Sequence, residues 1–154
     1  MKHHERIVDV NIVEQSRDDQ MQYAIYVARM RAIPDIRDGL KPVIRRIIWC
    51  AGHDFRGQGF SKTAAVMGQV IRKYNPHGDS SVQGAIRNMV NDFSTKYPTM
   101  LGSGAWGSKA NPTEAAARYT DCKISNFSVD VFIQDLYDAG CRNLQLDDCT
   151  WGMM

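Results

Sequence analysis

Arg118 and Tyr119 are neighbours in the run AAARYTD at 115–121, and that pair has a plain chemical use. A phenol is a poor nucleophile at neutral pH, because its pKa is about 10. A neighbouring guanidinium favours the phenolate and stabilises charge on a phosphate under attack. Covalent catalysis by tyrosine on a phosphodiester fits such a pairing. The same dipeptide also occurs as a half-buried tyrosine beside a surface arginine, so context must choose between the two. A second feature is basic. Between Arg29 and Arg46 stand Arg29, Arg31, Arg37, Lys41, Arg45 and Arg46 against Asp35 and Asp38, six minus two, a local excess of +4. Such a cluster fits either a phosphate footprint or a solvated helix face. The whole-chain charge of +2 selects no partner.

Other chemistry is less promising. Gly102-Ser103-Gly104-Ala105-Trp106-Gly107 satisfies GxGxxG. A dinucleotide site needs a buried strand before that run and a helix after it. Here Lys96-Tyr97-Pro98 precedes and Lys109-Ala110-Asn111-Pro112 follows, so the glycines are read as tight turns and close backbone approach. Cys50, Cys122, Cys141 and Cys149 form no CxxC pair, and no histidine stands at metal-ligand spacing from them. The reading is reduced thiols in a cytoplasmic protein, with no metal site of its own. No apolar run reaches the length of a membrane span, and MKHHERIVDV lacks the apolar core of a signal peptide. Neither secretion nor membrane insertion is expected.

The elements that must position these residues follow helical periodicity. Ser16 can cap a first helix with Asp18 and Asp19 in its first turn and Met21, Ala24, Ile25 and Ala28 along one face. Pro34 ends it, and Asp38-Gly39 marks a turn. A second helix starts near Lys41-Pro42 with the stripe Ile44, Ile47, Ile48 and Ala51, followed by a loop from Gly52 to Gly59. A third spans Ser61 to Tyr74, and Asn75-Pro76-His77-Gly78 breaks it. A fourth, capped by Asp79 or Ser80, buries Val82, Ala85, Ile86, Met89, Val90 and Phe93. Its polar face carries Ser80, Ser81, Gln83, Gly84, Arg87, Asn88 and Asn91. The third and fourth helices fit a helix-turn-helix whose second member lies in a major groove, or an ordinary helical hairpin. Residues 94–114 read as turns and short strands, compatible with a β wing, and a last helix runs from Ser125 to Tyr137. The organisation is an arm at 1–15, one domain at 16–140 and an unassigned tail at 141–154. The class is mainly α with a small β wing.

Four segments carry a family resemblance. RAIPDIRDGLKPV at 31–43, KYNPHGDS at 73–80, GSGAWGS at 102–108 and AAARYTD at 115–121 resemble, in order and approximate spacing, the motifs of type IIA DNA topoisomerase A subunits. These are the A subunits of DNA gyrase and topoisomerase IV, and the likeness covers roughly residues 10–140. It implies a winged-helix, CAP-like DNA-binding domain. It implies that Tyr119 attacks a backbone phosphate to form a transient 5′-phosphotyrosine and that Arg118 stabilises the transition state. Arg31, Lys41, Arg45, Arg46, Asn75 and His77 match positions near the scissile phosphate or along bound DNA. Ser80 matches the serine beside bound fluoroquinolones. The partners implied are double-stranded DNA, an ATPase/TOPRIM B subunit, and a second copy of this polypeptide to complete a homodimer within a heterotetramer. That B subunit would supply the Mg²⁺ site and use ATP.

Some positions depart from the pattern. Asn75 stands where the family's turn has a histidine, and an amide is neither acid nor base near neutral pH. Ile44 replaces a histidine before Arg45-Arg46, Ser103 replaces a glutamine, and Gly84 stands where many drug-sensitive members carry an acid. Family members continue into a tower domain and a coiled coil, so the chain is expected to be a fragment or shortened form, inactive alone. A catalytic domain predicts both DNA binding and a covalent adduct. A non-catalytic winged-helix module predicts binding alone, and a helical protein-interaction domain predicts neither.

Overall fold

The computed structural model describes residues 11–36 and 38–134. Arg37 and the tail at 141–154 lie outside them, as do Cys141, Cys149 and the end of the last helix expected from the sequence. The chain divides into two compact units, one ending at Pro42 and one beginning at Val43.

In the first unit, α1 (Ile12–Val27) starts earlier than the cap expected at Ser16. Asn11 is the cap, because its side-chain oxygen accepts the orphan N–H of Val13 at 3.1 Å. No residue of α1 is buried, and its apolar Met21 and Ile25 remain exposed. The helix runs on into a π-helical turn, Ala28–Ala32, that carries Arg29 and Arg31. It stops at Ile33, held extended (φ −87°, ψ 123°). Pro34 disfavours the helical conformation for the residue before it. The expected turn follows. Asp35 N–H donates to the Leu40 carbonyl at 3.0 Å, Gly39 N–H to the Asp35 carbonyl at 2.8 Å, and Leu40 N–H to the Asp38 carboxylate at 2.8 Å. Gly39 sits at φ +69°, where a side chain would be strained.

In the second unit, α2 (Pro42–His53) opens on proline, as expected, and buries Ile47, Ile48, Trp49, Cys50 and Ala51. Then come β1 (Ser61–Lys62), α3 (Thr63–Lys73), α4 (Asp79–Val90), β2 (Met100–Ser103), β3 (Asp121–Ile124) and α5 (Asn126–Ser128). A π-helical turn, Val129–Ile133, extends α5. The strands form an antiparallel sheet in the order β1-β3-β2, with Ser61 opposite Cys122 and Met100 opposite Ile124. The expected class, mainly helical with a small winged-helix-like sheet, is the one observed. The core joins Ile47 and Ile48 of α2, Val66 and Val70 of α3, Val82 and Ile86 of α4, Met100 of β2 and Ile133.

Several boundaries differ from the sequence reading. Ser61 belongs to a strand, so α3 begins at Thr63. Neither Asp79 nor Ser80 caps α4. Gly78 holds the cap position without a side-chain bond, and the Asp79 carboxylate takes the Ser80 N–H. The helix ends at Val90, because Asn91 turns extended and its buried amide donates to the Trp106 carbonyl at 3.1 Å. Asn91 is therefore a core bracket and not part of the polar face. The last helix does begin where expected, with the Ser125 hydroxyl capping the Ser128 N–H.

The ends of α2 and α3 are joined through Asp54. Its carboxylate accepts from Gln69 at 2.9 Å, Tyr74 Oη at 3.1 Å and Lys73 Nζ at 3.2 Å, and meets His53 Nδ1 at 3.0 Å. Burial alone raises the pKa of this carboxyl, but the bonds to the ionised form outweigh it and hold the value at about 2. The group therefore stabilises the fold fully above its ordinary value of 3.8, and that contribution is lost as pH falls toward 2. Asp54→Asn is expected to cost about 2 kcal/mol at pH 7. Urea denaturation of the purified chain at a series of pH values should show the variant and parent converging near that acid limit.

Candidate nucleic-acid cleavage site

Tyr119 lies on a turn just before β3. It is 64% exposed, and its N–H donates to the Ala116 carbonyl at 2.8 Å. The Arg118 guanidinium sits over the ring, 4.7 Å from its centroid. The sequence pair is thus a spatial pair, with the cation on the ring face and the phenol open to a large substrate. Tyr74 differs sharply. Burial and the neighbouring Asp54 charge push its phenol well above the usual range, and its hydroxyl is committed to Asp54. It is a structural tyrosine.

The turn is held from behind by α3. A helix start leaves backbone donors without partners. Here Thr63 N–H donates to the Thr120 carbonyl at 3.0 Å and Ala64 N–H to the Ala117 carbonyl at 3.1 Å. Thr63 Oγ1 also donates to the Thr120 carbonyl at 3.1 Å, and Thr120 Oγ1 donates to Thr63 Oγ1 at 2.9 Å. Both threonines are 1% exposed. Sequence reasoning missed this pair: the residues are 57 apart, and neither type signals a partner.

The glycine-rich run serves packing. A Cβ on Gly102 would overlap the Trp106 indole and Val90, so glycine there lets Trp106 lie against β2 and α4. Gly104, at φ +100°, passes 3.2 Å from the Tyr119 carbonyl as measured from where its Cβ would be. Among the described residues no helix directly follows the run, in keeping with its rejection as a dinucleotide fingerprint.

On the far side of α3, Arg46 Nη1 donates to Asn75 Oδ1 at 2.7 Å. Asn75 is 3% exposed, and its carbonyl accepts the His77 N–H at 2.7 Å. Arginine has no acceptor, so the amide oxygen must face it. Arg46, Asn75 and His77 thus share one corner, with His77 and Ser80 exposed around the start of α4 and Arg45 half-buried on α2. Arg31 and Lys41 are exposed in the first unit. Cys50 and Cys122 are free, buried thiols. Burial, then the Asp54 charge, pushes Cys50 up to about 12, and burial raises Cys122, so neither is a nucleophile at neutral pH. Among the described residues no group of three or more His, Cys, Asp or Glu side chains could hold a metal ion, and no helix is long and apolar enough to cross a membrane.

Known proteins share this sequence. Residues 31–139 match the family model for the A subunit of DNA gyrase/topoisomerase IV. The chain is 39% identical over 137 residues to the A subunit of DNA topoisomerase 4 from Synechocystis sp., a match covering 87% of this chain and 15% of that protein. It is 42% identical over 134 residues to the A subunit of DNA gyrase from Spiroplasma citri, covering 85% of this chain and 58% of the relative. It is 40% identical over 130 residues to the A subunit of DNA gyrase from Staphylococcus aureus, covering 82% and 14%. The matched segment is thus less than two thirds of each relative's length.

Thr120→Val keeps the buried shape and removes the hydroxyl donated to Thr63. A loss of about 1 kcal/mol in urea denaturation is expected, with the denaturant slope unchanged. Amide exchange at Tyr119 and Thr120 should quicken by more than exchange in α4.

Proposed function

The chain belongs to the family of DNA gyrase and topoisomerase IV A subunits, and we propose that it is the DNA cleavage and religation domain of an ATP-dependent type II DNA topoisomerase acting in the cytoplasm. The observation that supports this best is the exposed Tyr119 beneath the Arg118 guanidinium, on a turn anchored to α3 by buried bonds. In the proposed step the phenolic oxygen bonds to a backbone phosphorus while the bond from phosphorus to the 3′ oxygen breaks. The phenol loses its proton and the departing 3′ oxygen gains one. Because the phosphodiester is exchanged for a phosphotyrosine ester, the released hydroxyl can reverse the step and reseal the strand without an outside energy source. Arg118 offsets charge as it builds on the phosphate.

Arg31, Lys41, Arg45, Arg46, Asn75 and His77 are assigned to the DNA backbone in this proposal. Phosphate contacts give affinity with little sequence readout and make it steeply salt-dependent. The proposal places Mg²⁺ on the acidic TOPRIM site of a partner B subunit, which also hydrolyses ATP. It pairs two copies of this domain for staggered cleavage of a duplex and passage of a second one, which changes supercoiling. One observation favours a non-catalytic DNA-binding module instead. Asn75 is locked to Arg46 and cannot move a proton.

The two readings separate in one assay. The chain replaces the matching segment of full-length Staphylococcus aureus GyrA-type protein, the cleavage half of that species' gyrase. This hybrid is mixed with the ATPase half, Mg²⁺ and labelled duplex, then quenched with SDS. Label should remain on the protein with Tyr119 and disappear with Tyr119→Phe. Salt-sensitive DNA binding with no adduct from the parent would identify the module.

A further inference from the structure

We propose that Glu114 is a positioning residue, a latch that holds the segment bearing Arg118 and Tyr119 against α4 and in doing so keeps Arg87 from the DNA. The proposal rests on the reading of Tyr119 as nucleophile. The Glu114 carboxylate accepts from Arg87 Nη1 at 3.1 Å and from Gln83 Nε2 at 3.4 Å. Gln83 and Arg87 are one turn apart on α4, so a single carboxylate can meet both. The Glu114 side chain is 13% exposed and that of Arg87 is 33% exposed. A pair this far out of water is costly to break from one side, since the remaining charge stays partly desolvated.

Three ties fix the segment from 114 to 120. Ala115 N–H donates to the Ala105 carbonyl at 2.9 Å, and the carbonyls of Ala117 and Thr120 cap α3. Both of these are backbone ties. The third is the Glu114 side chain, which carries the segment's bonds to α4. It therefore sets the distance between the nucleophile's turn and the polar face of the helix that carries Ser80, Gly84 and Asn88. Cleavage chemistry is sensitive to such placement, because an error of about 1 Å at a reacting atom can cost a hundredfold in rate.

The same contact has an electrostatic effect of opposite sense. Arg87 stands on the polar side of α4, where a free guanidinium attracts phosphate. Glu114 neutralises it locally. Removing the carboxylate charge should loosen Tyr119 and at the same time strengthen attraction for the DNA backbone. A general folding defect would weaken both functions together.

The first test uses the purified chain. In Glu114→Gln, amide exchange over residues 115–119 should rise about tenfold. Binding of a fluorescent linear duplex at fixed salt should be unchanged or about threefold tighter. In the gyrase hybrid described above, the adduct should fall at least about tenfold. Exchanging the charges, Arg87→Glu with Glu114→Arg, should restore exchange protection and most of the adduct. Unchanged exchange in Glu114→Gln overturns the latch, and so does an adduct that falls only in step with DNA affinity. If the parent hybrid forms an adduct and Glu114→Gln matches it, the latch alone is wrong. A parent that forms no adduct defeats the Tyr119 reading and the latch with it.

Discussion

The hydroxyls of Thr63 and Thr120 hold the site together. A helix N-terminus is a set of unmet donors, and a tight turn is a set of unmet acceptors. Placing α3 end-on against the Tyr119 turn answers both needs at once, with Thr63 supplying a backbone and a side-chain donor to one carbonyl. The arrangement is dry, since both threonines are 1% exposed. Hydrogen bonds in that setting are costly to leave unmade, so the turn has little freedom to drift. The sheet builds outward from the same place. Lys62 pairs with Asp121 across β1 and β3, and Gly104 passes close beneath the Tyr119 carbonyl.

The other end of α3 is held by different chemistry. Asp54 gathers Gln69, Lys73 and Tyr74, and the next residue, Asn75, takes the Arg46 guanidinium. One helix therefore connects the nucleophile's turn at its start to the basic corner at its finish. An amide in the Arg46 partnership has a consequence that a histidine would not. Its oxygen accepts at every pH, so the orientation of Arg46 does not follow a proton. Whatever proton leaves Tyr119 has to travel by a route other than this side chain.

Much of this is legible in the sequence, for identifiable reasons. Pro34 and Pro42 bound elements correctly because proline acts through local sterics alone. The stripe Ile47, Ile48 and Ala51 is buried because helical periodicity selects one face whatever covers it. Arg118 meets Tyr119 because adjacent residues on a turn need no long-range help. The errors share a cause as well. Ser16 has a capping side chain, yet Asn11 does so too and starts the helix sooner. Asn91 has the chemistry of a polar-face residue, but Trp106 gives it a buried carbonyl to hold. Ser61 fits a helix start by type, but Cys122 stands opposite it as a strand partner.

The sequence by itself determined the helical class, the identity of the reactive pair and the family to which the four motifs belong, since each of these is written in residues close together along the chain. Only the tertiary structure decided what holds the pair in place. Thr63 with Thr120, Arg46 with Asn75 and Arg87 with Glu114 are separated by 57, 29 and 27 residues. A threonine, an asparagine or a glutamate has many candidate partners at such range. Burial chose among them, because a polar group taken out of water must be matched by whatever group the fold brings within reach.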